Sequence, residues 1–427
     1  MTQEEIASAI ELIPNRFYYV GVTRLPQDDD THHFFCTDEV FRYYNYFLDF
    51  GPLNLAQIHS FCLVVDLKMK SRKFQNKKLY YYSRQNPKIK VNSILLACCY
   101  LVIVKQMDVD TVWNLFKDIS LPLYHDASPG DFPLTVRDCV EGLKIAVDRG
   151  ITDWSSFDSA AYEHYERVEN GDLNWVVKDR VVAFSGPHMF PEEVNGVRTM
   201  TAEEYVKVFT DLHVGVVVRL NQPAYDRRIF TDNGIEHFDI YFPDGGLPEF
   251  LQLLRFIAII KTHQCGVAVH CKAGLGRTGT VICSYLMYEF GMTAEQAIGY
   301  CRICRPGSVV GCQQHFLKRI EERLKQVSEE EVLASFSTKV GFRSRIYDMK
   351  PRRSSLFRMR EQSMDLNQGS SLYHRKVTNT KNPIVVKEKP QILEEHPVKD
   401  KSIPTRSWIF AILFLFVTVS VLFQLGS

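Results

Sequence analysis

Residues Val267 to Gly279 read Val-Ala-Val-His-Cys-Lys-Ala-Gly-Leu-Gly-Arg-Thr-Gly. A β-branched run ends at His270-Cys271, a glycine-containing turn follows, and Arg277-Thr278 opens an apolar segment (Val281, Ile282, Tyr285, Leu286) at helical spacing. The pattern predicts a strand, a loop and a helix N-terminus. The backbone N–H groups of such a loop, over Lys272, Ala273, Gly274, Leu275 and Gly276, join the positive end of the helix dipole in a cradle for a tetrahedral anion. A cysteine at the base of that cradle is favoured as thiolate, which makes Cys271 a nucleophile aimed at the phosphorus of a bound phosphate. Arg277 closes the ring: its planar fork holds two phosphate oxygens and follows the charge into the transition state. Thr278 can donate its hydroxyl to the sulfur and make it a better leaving group in a second step.

Two plainer readings compete. Gly274-x-Gly276-x-x-Gly279 matches the dinucleotide fingerprint, but no second strand with an acidic ribose ligand follows; instead Thr293-x-x-Gln296 predicts a capping box opening another helix. Cys271 could also be an ordinary buried thiol; Cys, five residues, then Arg-Thr outweighs that reading. Displacing an alkoxide or phenolate needs a proton donor, and Asp244 in Phe242-Pro243-Asp244-Gly245-Gly246 supplies a carboxylic acid on a loop. Gln313 and Gln314 offer amides that could orient a hydrolytic water, although by position alone they read as surface residues of a helix.

These groups need a scaffold. The 427 residues exceed one usual core and predict two globular units with extras. Hydrophobic content of 45% and charged content of 24% are those of a globular protein, and a net charge of +1 gives no footprint for nucleic acid. The 11 cysteines include no paired ligand sets, and Cys301-x-x-Cys304 stands alone on a helical segment, so neither a metal nor another cofactor is implied. No signal peptide is visible, and a reducing compartment is expected. Phe17–Val22, Phe61–Asp66 and Leu79–Tyr82 read as strands, Ile94–Val104 and Leu134–Val147 as helices. In the second unit Val176-Val177, Val181–Phe184, Val214–Leu220 and Phe238–Tyr241 read as strands, Thr201–Phe209 and Phe250–Ile260 as helices, and a long helix runs from Gly311 toward Val332. Alternation of this kind predicts an α/β layer with a mostly parallel sheet, catalytic groups collecting at the carboxyl ends of its strands. A constant offset lays Tyr100 on Tyr285, Leu101 on Leu286 and Met107 on Met292, with Asn86 in the place of Cys271 and Asn92 in that of Arg277; an internal duplication with one catalytically dead copy is inferred. In the connector, Glu163, Glu166, Glu169 and Asp172 recur every third residue, a row that would attract a basic peptide if it is more than a solvated helix face.

The segments Phe-Pro-Asp-Gly-Gly, His-Cys-Lys-Ala-Gly-Leu-Gly-Arg-Thr-Gly and Arg-Ile-Cys-Arg-Pro-Gly-Ser-Val resemble the cell-division-cycle fourteen family of dual-specificity phosphatases over roughly residues 10 to 335. The resemblance implies two tandem dual-specificity-phosphatase-like domains, an inactive one over 1–153 and a catalytic one over 175–336, joined by a linker helix over 154–174. It implies phosphocysteine catalysis by Cys271, Arg277 and Asp244, and preference for phosphoserine followed by proline and a nearby basic residue, sites made by cyclin-dependent kinases. Glu163, Glu166 and Asp172 match the acidic groove that the family uses for the basic residue. A nuclear or centrosomal pool is implied as well. One departure is Cys312, which stands where the family carries Pro before the paired Gln and puts their water-positioning role in question.

Beyond Ser337 the composition turns polar, with Pro351, Pro383, Pro390, Pro397 and Pro404, and a disordered tether over 337–406 is expected. Trp408 to Leu425 is an uncharged run of about 18 residues, spanning roughly 27 Å as a helix and read as a tail anchor over 407–425. The endoplasmic reticulum is favoured, with the catalytic unit facing the cytoplasm. Two other functions fit parts of the chain. A phosphoinositide phosphatase suits the anchor and Lys272, although lipid-active relatives carry a second Lys where this chain has Leu275. A phosphopeptide-binding scaffold without turnover suits Cys312.

Overall fold

The computed structural model describes residues 3–194, 196–337 and 368–381. The uncharged run from Trp408 to Leu425 lies outside them. In the N-terminal half a four-stranded sheet has the order 10–13, 17–22, 78–84, 32–35. Strand Lys78–Arg84 lies at its centre, parallel to Phe17–Val22 on one side and His32–Phe35 on the other. The second sheet has the order 236–239, 214–219, 266–270, 181–184, 173–177. Its first four strands are parallel and Leu173–Val177 is antiparallel at the edge. Both sheets are therefore mixed, parallel at the centre where the expectation placed the chemistry.

Helices flank both sheets, and their starts follow capping chemistry. Asn54 with Gln57, Thr135 with Asp138, Thr201 with Glu204 and Thr293 with Gln296 all close reciprocal caps. The first of these corrects a reading: Phe61–Asp66 is not a strand but part of helix Leu55–Lys70. Its β-branched and aromatic residues favour a strand locally, yet Leu55, Ile58, Phe61, Cys62 and Val65 repeat at three and four residues and all are buried on one side. The predicted long helix from Gly311 is also two, Cys312–Lys325 and Glu329–Ser337. Ser328 and Glu331 exchange hydrogen bonds and start the second afresh.

Part of the stretch read as a disordered tether is ordered: Gln368–Lys381 is a helix. Leu372, Tyr373 and Val377 are buried in one apolar cluster with Tyr46, Val168, Ala273, Leu275 and Val310. Its polar composition hides a short stripe that only a partner surface makes stable.

The two sheets share one continuous apolar core, from Leu12 to Val332. Helix Val136–Asp148 of the first half packs on helix Ala294–Cys304 of the second at backbone distance. A Cβ on Gly142 would sit 2.3 Å from the carbonyl of Gln296, and one on Gly299 2.9 Å from Cα of Cys139. The apolar stretch Pro87–Val104 is long enough to cross a membrane but is mostly buried here, as a core helix.

Candidate active site

Strand Gly266–His270 is buried along its whole length and ends where Cys271–Leu275 turn into helix Gly276–Phe290. Gly274 takes a φ of +66°, and a Cβ there would lie 2.1 Å from the carbonyl oxygen of Phe184. Only glycine fits. The loop's carbonyls are turned away by a fully buried arginine that the local pattern did not single out. Arg305 donates from Nε to the Gly274 carbonyl at 2.7 Å and from Nη2 to that of Ala273 at 3.2 Å. Its Nη1 donates to the carbonyl of Asp172 and to Oδ1 of Asn174, and Nη2 pairs with Asp172 Oδ1 at 2.9 Å. With the carbonyls tied behind, the loop's N–H groups are left to face a ligand.

Behind Cys271 lies a neutral relay. His270 Nδ1 donates to the Cys271 carbonyl at 2.9 Å, so its Nε2 accepts from the Tyr225 hydroxyl at 2.8 Å, which in turn accepts from His237 Nε2 at 2.9 Å. Burial holds both imidazoles down to about 3, leaving them uncharged near neutrality.

Arg277 reaches across the carboxyl ends of the neighbouring strands. Its Nη1 donates to the Phe242 carbonyl at 3.1 Å and its Nη2 pairs with Asp244 Oδ1 at 3.0 Å. Cys271, Arg277, Asp244 and Gln313 line one cleft. The Thr278 hydroxyl and Arg277 Nε are buried without a hydrogen-bond partner. Gln313 and Gln314 are not surface residues: 1% and 2% exposed, they divide the roles expected of the pair. Gln313 donates to the Gly246 carbonyl at the cleft, whereas Gln314 accepts from buried Arg302 at 2.8 Å, facing away from the cleft. The side chain of Cys312 is exposed and meets the Gly245 carbonyl at 3.6 Å, on the loop that carries Asp244.

A profile described as "Dual specificity protein phosphatase, N-terminal half" matches residues 11–146, and one described as "Dual specificity phosphatase, catalytic domain" matches residues 206–323. Dual specificity protein phosphatase CDC14AB of Danio rerio is 39% identical over 325 residues, covering 75% of this chain and 53% of its own. Dual specificity protein phosphatase CDC14C of Homo sapiens is 38% identical over 309 residues, covering 71% of this chain and 69% of its own. The chain belongs to the CDC14 family of dual-specificity phosphatases. The chain spans about half the length of several of the curated relatives it matches.

The carboxylates that the CDC14 resemblance implies for an acidic groove differ in their surroundings. Asp172, at a φ of +44°, is fully buried against Arg305. Glu166 accepts from the Tyr162 hydroxyl at 3.2 Å; burial raises its carboxyl above the usual range, and Lys376 is the strongest opposing influence. Glu163 and Glu169 are exposed. Of the three carboxylates, Asp172 is buried, Glu166 is half-buried and Glu163 is exposed.

Proposed function

We propose that the chain is a dual-specificity protein phosphatase that hydrolyses phosphoserine and phosphothreonine before proline, with a basic residue downstream, as well as phosphotyrosine. In this role it opposes cyclin-dependent kinases in cell-cycle control. The observation that carries the reading is the convergence of Cys271, Arg277 and Asp244 on one cleft. The thiolate of Cys271 attacks phosphorus, Arg277 and the loop N–H groups hold the non-bridging oxygens, and Asp244 gives its proton to the departing substrate oxygen. Water then attacks the phosphocysteine, oriented by Gln313 and deprotonated by Asp244. Sulfur leaves as thiolate with a hydrogen bond from Thr278, and inorganic phosphate departs. Arg277 must release Asp244 for phosphate to enter, so the loop Phe242–Gly246 moves during the cycle.

Glu166 and Asp172 receive the basic residue of the substrate in this reading. The N-terminal half is its non-catalytic partner, and the run from Trp408 to Leu425 tethers the enzyme to a membrane, favoured as the endoplasmic reticulum, with the catalytic unit in the cytoplasm. Initial rates of the full chain on phosphoserine-proline peptides with Lys or Glu three residues downstream, on phosphotyrosine peptides and on phosphoinositide vesicles test it. Faster turnover of the Lys peptide, with Asp244→Ala slowing it by roughly 10² to 10⁴, is the expected result. Turnover of the lipids alone would overturn the proposal.

A further inference from the structure

The N-terminal half carries a cluster that the phosphatase chemistry does not use. Asp28 precedes the edge strand His32–Phe35, which supplies His33, and Lys68 lies in the last turn of helix Leu55–Lys70. The Phe34 N–H donates to Asp28 Oδ1 at 2.8 Å, and His33 Nδ1 donates to Asp28 Oδ2 at 2.5 Å. With its proton held on Nδ1, the imidazole presents the Nε2 lone pair to Lys68, whose Nζ donates to it at 2.9 Å. Burial lowers the His33 pKa and keeps the ring neutral and able to accept. Phe74 stacks on His33 with ring centroids 4.0 Å apart, and Lys68 Nζ lies 5.0 Å from the ring centroids of Phe35 and Phe74.

Carboxylate, imidazole and amine stand in the order in which an acid fixes the tautomer of a base and the base faces a nucleophile. Lys68 is 7% exposed, and burial is the main reason that its pKa falls to about 8. Asp28 opposes that shift and Lys73 adds to it, while Lys77 acts on His33 in the same sense as burial. At pH 7.5 about a quarter of Lys68 is then free amine, against about one part in a thousand for an ordinary lysine. We infer that Lys68 is a nucleophilic lysine acylated on Nζ by small acyl phosphates, with His33 as its base and Asp28 as the positioning residue. The slight exposure of Lys68 excludes a bulky donor, and the ammonium groups of Lys73 and Lys77 suit an anionic leaving group. Nζ bonds to the acyl carbon, and the bond from that carbon to the phosphate oxygen breaks. The Nζ proton passes to His33 Nε2 and on to the phosphate, which leaves as hydrogenphosphate.

Lys70, two residues on with a side chain 76% exposed, is an internal reference. The full chain is treated with acetyl phosphate, and acetylation of each lysine is followed by mass spectrometry. At pH 7.5 Lys68 should react at least about 10-fold faster than Lys70. Its rate should level off near pH 8, whereas that of an ordinary lysine rises toward about pH 10.4. His33→Gln keeps an acceptor beside Nζ but no base, and should slow Lys68 by roughly 10² with Lys70 unchanged. Asp28→Asn should lower the maximum rate and also move the plateau to lower pH, because Asp28 opposes the shift at Lys68; loss of packing alone would not do both. If Lys68 reacts no faster than Lys70, an ammonium packed between two rings accounts for the cluster and the inference fails. It fails equally if Lys68 reacts fast and His33→Gln leaves its rate unchanged. The comparison of Lys68 with Lys70 uses the parent chain alone and stands whether or not a variant folds.

Discussion

Lys78–Arg84 in the N-terminal half and Gly266–His270 in the C-terminal half each lie between parallel neighbours and feed a helix. They differ in what separates strand from helix. After His270 five residues, 271–275, form the phosphate-type loop before the helix begins at Gly276. After Arg84 only Gln85 and Asn86 intervene before the helix begins at Pro87, one turn earlier than the offset to Gly276 places it. The loop has been replaced by a helical turn. The free N–H groups that would bind an anion are spent locally, since the Asn86 side chain accepts from the amides of Lys88 and Ile89. Asn92, in the place of Arg277, donates to the Phe50 carbonyl at 2.7 Å. A cleft of about 400 Å³ survives beside this junction, lined by Asp38, Glu39 and Asp49 as well as Arg42 and Lys88. The two junctions therefore share a strand and a helix and differ in the conformation of a few backbone amides between them.

The contrast can be broken at either junction. Cys271→Ser should reduce turnover by at least about 10⁴-fold while phosphopeptide still binds in a pull-down. Adding Asn86→Cys to that variant should recover none of it, because a thiol without the loop has no anion to attack. Next in size, Arg305→Met leaves Asp172 buried beside a loop whose carbonyls are no longer held; breaking such a buried pair costs roughly 3–5 kcal/mol, measured by denaturant unfolding, and turnover should fall with it.

The neutral relay behind Cys271 gives a pH signature with no counterpart behind Asn86. His237 and His270 are held at about 3 by burial, against about 6.5 in an unfolded chain. Between these values the unfolded chain binds more protons, so stability present above about pH 6.5 is lost as pH falls through the window. The slope is up to about 1.4 kcal/mol per pH unit for each histidine. Denaturation midpoints at pH 7 and 5 should show the loss, and His237→Gln should make it shallower. The smallest effect belongs to the N-terminal junction: Asn86→Ala should cost about 1 kcal/mol of stability and leave turnover as it was.

Much of the site was legible because it is local. Cys271, the glycine at 274, Arg277 and Thr278 act through one turn of backbone, and short spacing encodes short-range geometry. The helix start at Thr293 was legible for the same reason, since its cap is a contact with Gln296, three residues on. Phe61–Asp66 misled because a short β-branched run favours a strand until its neighbours on both sides supply a helical period. Gln313 and Gln314 misled because adjacent, chemically identical residues on one helix point about 100° apart, and only the surrounding surfaces decide which of them meets the cleft.

What the order of residues determined by itself is the strand, loop and helix around Cys271, the loop that carries Asp244 and the α/β layers that hold both. Tertiary structure alone decided that Arg305 ties the loop to Asp172, more than a hundred residues away, and that a polar stretch after Gln368 folds onto the cleft. A charge buried between distant segments, or a helix stable only against a partner surface, leaves no periodic trace in the chain. Its free energy comes from desolvation and pairing that exist only once the fold has closed.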